Sequence, residues 1–310
     1  MSLEQTVLII GAGRHGRTGA AVLDKLVSLG GTVRVLARND DARTDELRER
    51  GAHTIFGDLH DRNTLRAAVA GVSAVYFAYP IATGVVAATA NLASMLVESG
   101  QRPHVVVMSM AVASHTSPSR LGQAQAVAEE ILAWARLNPT ILRVGALFYE
   151  NVLVLHGGSI REHGLIASSF GAARAPWISA RDAAELAARQ LLLPAPSSPE
   201  VTYPPGAEAL SHTDIAEIIS IEISRNVEYR PILGREWQEL IEAQAASSYP
   251  SPLNDAMALH ISAIGSGFST GNAPTVQPDP DALAAALGHQ PITFAEFVRE
   301  QRHEFSDSLG

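Results

Sequence analysis

Four glycines in one stretch, Val7-Leu8-Ile9-Ile10-Gly11-Ala12-Gly13-Arg14-His15-Gly16-Arg17-Thr18-Gly19, point first to chemistry. Glycine permits a sharp turn and lets backbone come close to a ligand. Where such a turn follows a strand and opens a helix, the free N–H groups and positive dipole end of the helix receive a diphosphate. Two registers overlap. Gly11, Gly13 and Gly16 fit G-x-G-x-x-G, and Gly13, Gly16 and Gly19 fit G-x-x-G-x-x-G. The second is preferred, because the helix then begins near Arg17 and Gly19 sits where helix meets strand. Gly11, Gly13, Arg14, His15, Gly16, Arg17 and Thr18 are therefore expected to hold the diphosphate of a dinucleotide.

The next strand ends Val35-Leu36-Ala37-Arg38-Asn39. An acidic residue at that place accepts hydrogen bonds from a ribose 2′-hydroxyl, whereas an arginine suits a 2′-phosphate. Arg38 thus predicts NADPH in preference to NADH, with Arg14 and His15 adding positive charge; the alternative is a solvated surface arginine. Asp40 and Asp41 would repel a phosphate if they turned inward. Asp58, in Gly57-Asp58-Leu59, is expected either to accept from the adenine amino group or to cap the following helical segment, with Leu59 beside it. Ligands of open parallel sheets lie outside the carboxyl ends of the strands. Ala78, Tyr79 and Pro80, after the fourth strand, should therefore border the ribose or nicotinamide.

Positioning these residues takes a regular scaffold, and the first half of the chain has its pattern. Short apolar runs at Thr6–Ala12, Val33–Ala37, Thr54–Phe56, Ala74–Tyr79, Val105–Met110 and Thr140–Val144 alternate with helical periodicity at Thr18–Leu29, Asn63–Val69, Val85–Ser99 and Gly122–Leu137. The acidic and arginine-rich run Asp40 to Arg50 reads as a solvated helix. Alternating units of this kind predict an α/β protein with a doubly wound parallel Rossmann sheet. After Asn151 the pattern loosens. Helices are predicted at Ser179–Leu193, Ser211–Ser224, Arg235–Ala246, Leu253–Ile264, Asp279–Leu287 and Thr293–Phe305, with strands at Val201–Tyr203 and Val227–Ile232. The expected layout is a nucleotide-binding domain over residues 1–150, to which 176–206 return, and a small, mainly helical C-terminal substrate lobe over 151–310.

The 310 residues are 46% hydrophobic and 18% charged, an ordinary globular balance. A net charge of −9 disfavours nucleic acid and anionic membrane as partners. No cysteine is present, which excludes disulfides, thiolate metal sites and a cysteine nucleophile, and fits a reducing cytoplasm. No secretory signal or bilayer-spanning run is visible. His104, His156, His163, His260, His289 and His303 lack metal-ligand spacing, so no metal is expected.

Several of these segments together resemble the NmrA-like branch of the atypical short-chain dehydrogenases. The segments are Gly13 to Gly30; Gly57-Asp58-Leu59 with Leu65 to Val75; Thr140-Ile141-Leu142-Arg143-Val144-Gly145 followed by Phe148-Tyr149-Glu150-Asn151; Ile178 to Leu191; Leu210 to Pro231; and Thr293 to Phe297. Two departures stand out: Val144 replaces a usual proline, and Ser224-Arg225-Asn226 replaces a Gly-Arg-Pro turn. The resemblance implies an NAD(P)-binding protein, either an NADPH-dependent quinone or dye reductase or a redox-sensing regulator without turnover. Many short-chain dehydrogenases pair a tyrosine with a lysine four residues on, so that the tyrosine donates a proton as hydride arrives. Here the positions expected for that pair hold Leu121 and Gln125, and the chain's sole lysine, Lys25, is in the first helix. Gln125 can hydrogen-bond a nicotinamide ribose but is no general acid.

Two functions stay open at this point. In the first, hydride passes to a small electrophilic acceptor such as a quinone. Ser109 orients it, or merely satisfies strand-end backbone. Tyr149 lines the pocket, or merely packs. His115 is a candidate proton donor. In the second, NADPH is a signal and the partner is a regulatory protein. A non-redox role such as isomerisation on the same fold is a third, weaker reading. Self-association is compatible with either of the first two.

Overall fold

The computed structural model describes residues 5–13, 18–247, 251–273 and 276–306. Along the first half, β1 (Thr6–Ile10), α1 (Thr18–Ser28), β2 (Thr32–Ala37), α2 (Ala42–Glu49), β3 (His53–Phe56), α3 (Arg66–Val69), β4 (Ala74–Phe77), α4 (Val85–Glu98), β5 (His104–Met110), α5 (Arg120–Trp134) and β6 (Thr140–Val144) alternate. The second half adds α6 (Glu150–His163), α7 (Ala180–Leu191), α8 (His212–Ile223), α9 (Gly234–Ser247), α10 (Asp255–Ser269), α11 (Pro280–Leu287), α12 (Phe294–Glu300) and α13 (Arg302–Phe305). The chain divides into two compact units. The first comprises 1–117, 121–144 and 183–203; the second comprises 118–120, 145–182 and 204–310.

The first unit is a doubly wound α/β sheet. Among the described residues seven strands, all parallel to their neighbours, run in the order Glu200–Thr202, β6, β5, β4, β1, β2, β3. A parallel sheet covered on both faces needs apolar side chains on both. β1, Thr-Val-Leu-Ile-Ile, supplies them by alternation. Val7 and Ile9 enter one core with Val22, Leu23 and Leu26 of α1 and Ala184, Ala187, Ala188 and Leu191 of α7. Leu8 and Ile10 enter the opposite core with Leu92 and Leu96 of α4 and Leu132 of α5. Each crossover returns the chain to the same end of the sheet, so the carboxyl ends of β1, β2, β3, β4 and β5 open on one side.

The second unit holds two small sheets. Ala175–Ile178 pairs antiparallel with Glu208–Leu210 and parallel with Leu147–Phe148, and Leu165–Ser168 pairs parallel with Glu228–Pro231. α8 starts on a capping box, in which the Ser211 side chain accepts from Asp214 N–H while the Asp214 side chain accepts from Ser211 N–H.

Among the elements that differ from the sequence expectation, three helices show why. α6 is a 14-residue helix where only a loosened pattern was visible. α5 stops at Trp134 rather than Leu137, because Arg136 and Asn138 take left-handed backbone, with φ of 57° and 43°. The terminal helix breaks into α12 and α13 at Gln301, where φ is −103° and ψ 21°.

Candidate functional site

β1 ends in a turn whose glycines have different jobs. Gly11 sits at φ +100°, and a Cβ there would lie 2.1 Å from the Ala78 carbonyl oxygen. The strands are that close because Ala78 N–H donates to the Ile10 carbonyl at 3.0 Å. A Cβ on Gly19 would lie 2.4 Å from the Gly11 carbonyl oxygen, so α1 enters against the turn itself. Gly13 is the opposite case: a Cβ there meets nothing within 4 Å. Gly11 and Gly19 thus let backbone approach backbone, while Gly13 has open space beside it among the described residues. Arg14, His15, Gly16 and Arg17 lie outside the described residues. Thr18 is buried in the first turn of α1, its hydroxyl oxygen accepting from Tyr76 at 2.9 Å.

At the end of β2, Arg38 is exposed and makes no ion pair among the described residues. The two acids that follow it are spent on α2. Asp41 caps that helix and pairs with Arg43 at 2.5 Å, and Asp40 pairs with Arg48 at 2.8 Å. Neither therefore cancels the Arg38 charge by a direct contact. Tyr79, after β4, is close enough to feel Arg38 and Asp58. Burial pushes its phenol up, the Arg38 cation pulls it down, and the Asp58 carboxylate pushes it up. Its hydroxyl donates to the Thr83 carbonyl at 2.9 Å and lies 2.9 Å from His60 Nε2. Asp58 Oδ1 accepts from His60 N–H at 2.9 Å, while the cap of the following 3₁₀ turn is Asp61. Asp58 therefore shapes a turn and does not cap the helical segment, and its second carboxylate oxygen stays available to a ligand. The Leu59 carbonyl accepts from Asn91, and the Pro80 carbonyl accepts from Ala82 N–H. His60 is a contact that the sequence reading passed over. A titratable side chain two residues past the Gly57-Asp58 turn is the signal that could have found it.

At the end of β5, Ser109 is buried and its hydroxyl donates to Glu129 Oε1. Glu129 Oε2 accepts from Arg143 Nε at 3.0 Å and from Arg143 Nη2 at 2.5 Å. Arg143 Nη1 donates to the Tyr203 hydroxyl at 2.9 Å. Gln125 is buried one turn before Glu129 on α5. Glu129 and Arg143 were missed from sequence, although an arginine in the apolar strand Thr-Ile-Leu-Arg-Val asks for a buried carboxylate. A cleft of about 340 Å3, lined by residues that include His115, Ala126, Glu129, Glu130 and Arg143, flanks α5. His115 Nε2 pairs with Glu130 Oε1 at 2.7 Å, and both side chains are exposed. Lys25 pairs with Glu185 at 2.9 Å, within the helical layer of the sheet.

Tyr149 belongs to the second unit and takes the packing role. Its ring is fully buried, 5.2 Å from Phe294 and 5.6 Å from Phe297 between centroids. Its hydroxyl donates to Glu208 Oε1 at 2.6 Å; burial, with that carboxylate beside it, pushes the phenol far up. A phenol so held presents nothing to an acceptor, which corrects the catalytic expectation for it. Among the described residues no three His, Asp or Glu side chains group as a metal site, and no helix is long and apolar enough to cross a membrane.

Comparison with known proteins follows the same lines. The sequence pattern of the NmrA-like family matches residues 3–298. An NAD(P)H azoreductase of Xenophilus azovorans is 29% identical over 311 residues, covering 96% of this chain and 99% of its own. Among solved structures, an NADPH-dependent quinone oxidoreductase from Escherichia coli, complexed with NADPH, superposes with a TM-score of 0.77 at 22% identity, covering 96% of this chain and 100% of its own. The negative transcriptional regulator NmrA, in complex with NADP, superposes with a TM-score of 0.74 at 16% identity, covering 96% of this chain and 94% of its own.

Proposed function

This chain belongs to the NmrA-like family, and from that premise we propose that it is an NADPH-preferring oxidoreductase that passes hydride to a small electrophilic acceptor such as a quinone. The observation that carries the reading is Arg38 at the carboxyl end of β2, which makes no ion pair among the described residues, in the same open-ended row as a glycine turn whose Gly13 has no described atom where a Cβ would point. The turn and the start of α1 bind the diphosphate, Arg38 binds the 2′-phosphate, and the open oxygen of Asp58 accepts from the adenine amino group. When bound, the cofactor supplies a hydride from its nicotinamide.

Gln125 hydrogen-bonds but carries no titrating proton, and Tyr149 is locked in the second unit. The acceptor is therefore one that takes hydride without a strong acid, its proton coming from solvent, and proximity does most of the work. The azoreductase and quinone reductase names of the relatives agree with such acceptors. The same lack of an acid–base pair also favours a second reading, an NADPH sensor acting through a protein partner; one structural neighbour is a negative transcriptional regulator in complex with NADP. Titrating the protein with NADPH and NADH, then following NADPH oxidation with a panel of quinones and azo dyes, decides. Binding with oxidation supports the reductase, binding without oxidation supports the sensor, and no binding of either nucleotide overturns both.

A further inference from the structure

The chain Ser109–Glu129–Arg143–Tyr203, buried at its Ser109 and Glu129 end and exposed at Tyr203, fixes which way one proton points. A hydroxyl has a single proton and two lone pairs. Ser109 gives its proton to Glu129 Oε1, and the other carboxylate oxygen is gripped by two nitrogens of Arg143. Glu129 is only 4% exposed, so water does not compete for that bond. Hydrogen bonds to buried charged groups are among the strongest in a protein, and the carboxylate cannot turn away from Ser109 without leaving Arg143. Toward any third partner Ser109 is thereby left with lone pairs only.

We propose that Glu129, held by Arg143, is a positioning residue that makes Ser109 a hydrogen-bond acceptor, so that the molecule bound at the carboxyl end of β5 is one that brings an O–H or N–H group to it. This rests on the reductase reading and deepens it. Two-electron reduction of a quinone takes up one hydride and one proton; the hydride leaves the reduced nicotinamide and the proton comes from water. Two carbonyl oxygens, which only accept, become two phenolic O–H groups, which donate. Ser109 as fixed here meets a quinone oxygen lone pair to lone pair and receives the O–H of the hydroquinone. The site therefore favours the reduced form of its own acceptor, and the reaction is inhibited by its product.

The test is anaerobic calorimetry on the full chain saturated with NADP+, so that nothing turns over, titrated with 1,4-benzoquinone or with its hydroquinone. The chain has no cysteine and a single lysine, which keeps quinone adducts few. Wild type is expected to bind the hydroquinone about tenfold more tightly than the quinone, the value of one well-made hydrogen bond. Ser109→Ala should bring the two affinities to parity. Glu129→Gln, whose amide N–H can donate to Ser109 and free its proton, should shift the ratio toward the quinone by about tenfold and raise the product-inhibition constant by a similar factor. A wild-type ratio at parity, a preference for the quinone, or no binding of either form to the NADP+-loaded protein overturns the proposal. So does a ratio that Glu129→Gln leaves unchanged. If Glu129→Gln does not fold, Ser109→Ala carries the test alone, and an unchanged ratio there overturns it. Failure of NADP+ itself to bind is a separate result and defeats the functional reading instead.

Discussion

Replacing Arg38 by alanine removes a cation that nothing described in the protein neutralises. Its expected effect is selective: NADPH affinity falls by about ten- to a hundredfold while NADH affinity changes little, because only the former carries a 2′-phosphate. Equal losses for both nucleotides in a fluorescence titration would show that Arg38 does not touch that phosphate. The glycines of the turn separate in the same way. Gly11→Ala forces a Cβ into the Ala78 carbonyl at a positive φ and should cost about 3 kcal/mol of stability or prevent folding, read as a lower urea midpoint. Gly13→Ala meets no atom of the described residues, so its stability should stay within about 0.5 kcal/mol of wild type while nucleotide affinity drops. A Gly13→Ala variant that binds NADPH as well as wild type would remove this turn from the cofactor site.

At the scale of elements, Ser211→Ala strips the cap from α8 and leaves the Asp214 N–H at a buried helix start without its acceptor. Urea unfolding should show a loss of about 1 kcal/mol, with Ser211→Asp retaining most of it. Which elements could be read from sequence follows from how each is stabilised. β1, β4 and β5 are buried on both faces, so the runs Val7–Ile10, Ala74–Phe77 and Val105–Met108 within them are apolar and announce themselves. α6 does not. Asn151, Gly157, Gly158 and Ser159 are poor helix formers, and the helix stands because Val152, Leu155, His156 and Ile160 are buried by tertiary packing. Strands of two to four residues, such as Leu147–Phe148 and Glu208–Leu210, are too short to show alternation at all. The places of the glycine turn after β1 and of Arg38 after β2 were legible because strand ends follow local rules. The Ser109–Glu129–Arg143 linkage was not, because pairing a helix side chain with a strand side chain 14 residues on depends on how the two elements lie together.

For the molecule as a whole, acid should be the weak point. His156 and His260 are buried, and burial depresses each from an ordinary 6.5 to about 4. His212 is depressed further in the same direction, by burial and then by neighbouring His156. The unfolded chain takes up these protons near pH 6.5 while the folded chain refuses them until about pH 4, so stability falls as pH drops through that window. The slope is about 1.4 kcal/mol per pH unit for each histidine. Asp182, raised by burial, opposes part of the loss because its folded form protonates early. Urea midpoints at pH 7, 6 and 5 should decline steadily, and His260→Gln should flatten the curve; a profile without slope would contradict the burial of these rings. The central sheet acquires its outer strand, Glu200–Thr202, and part of one helical layer, Ala184 to Leu191, only after the segment 145–182 has been made. A ribosome-bound precursor ending at Val144 exposes β6 as a raw edge and leaves Val7 and Ile9 half covered. Chains truncated there should aggregate, whereas release of the nascent polypeptide beyond about residue 203 should permit closure of the first unit.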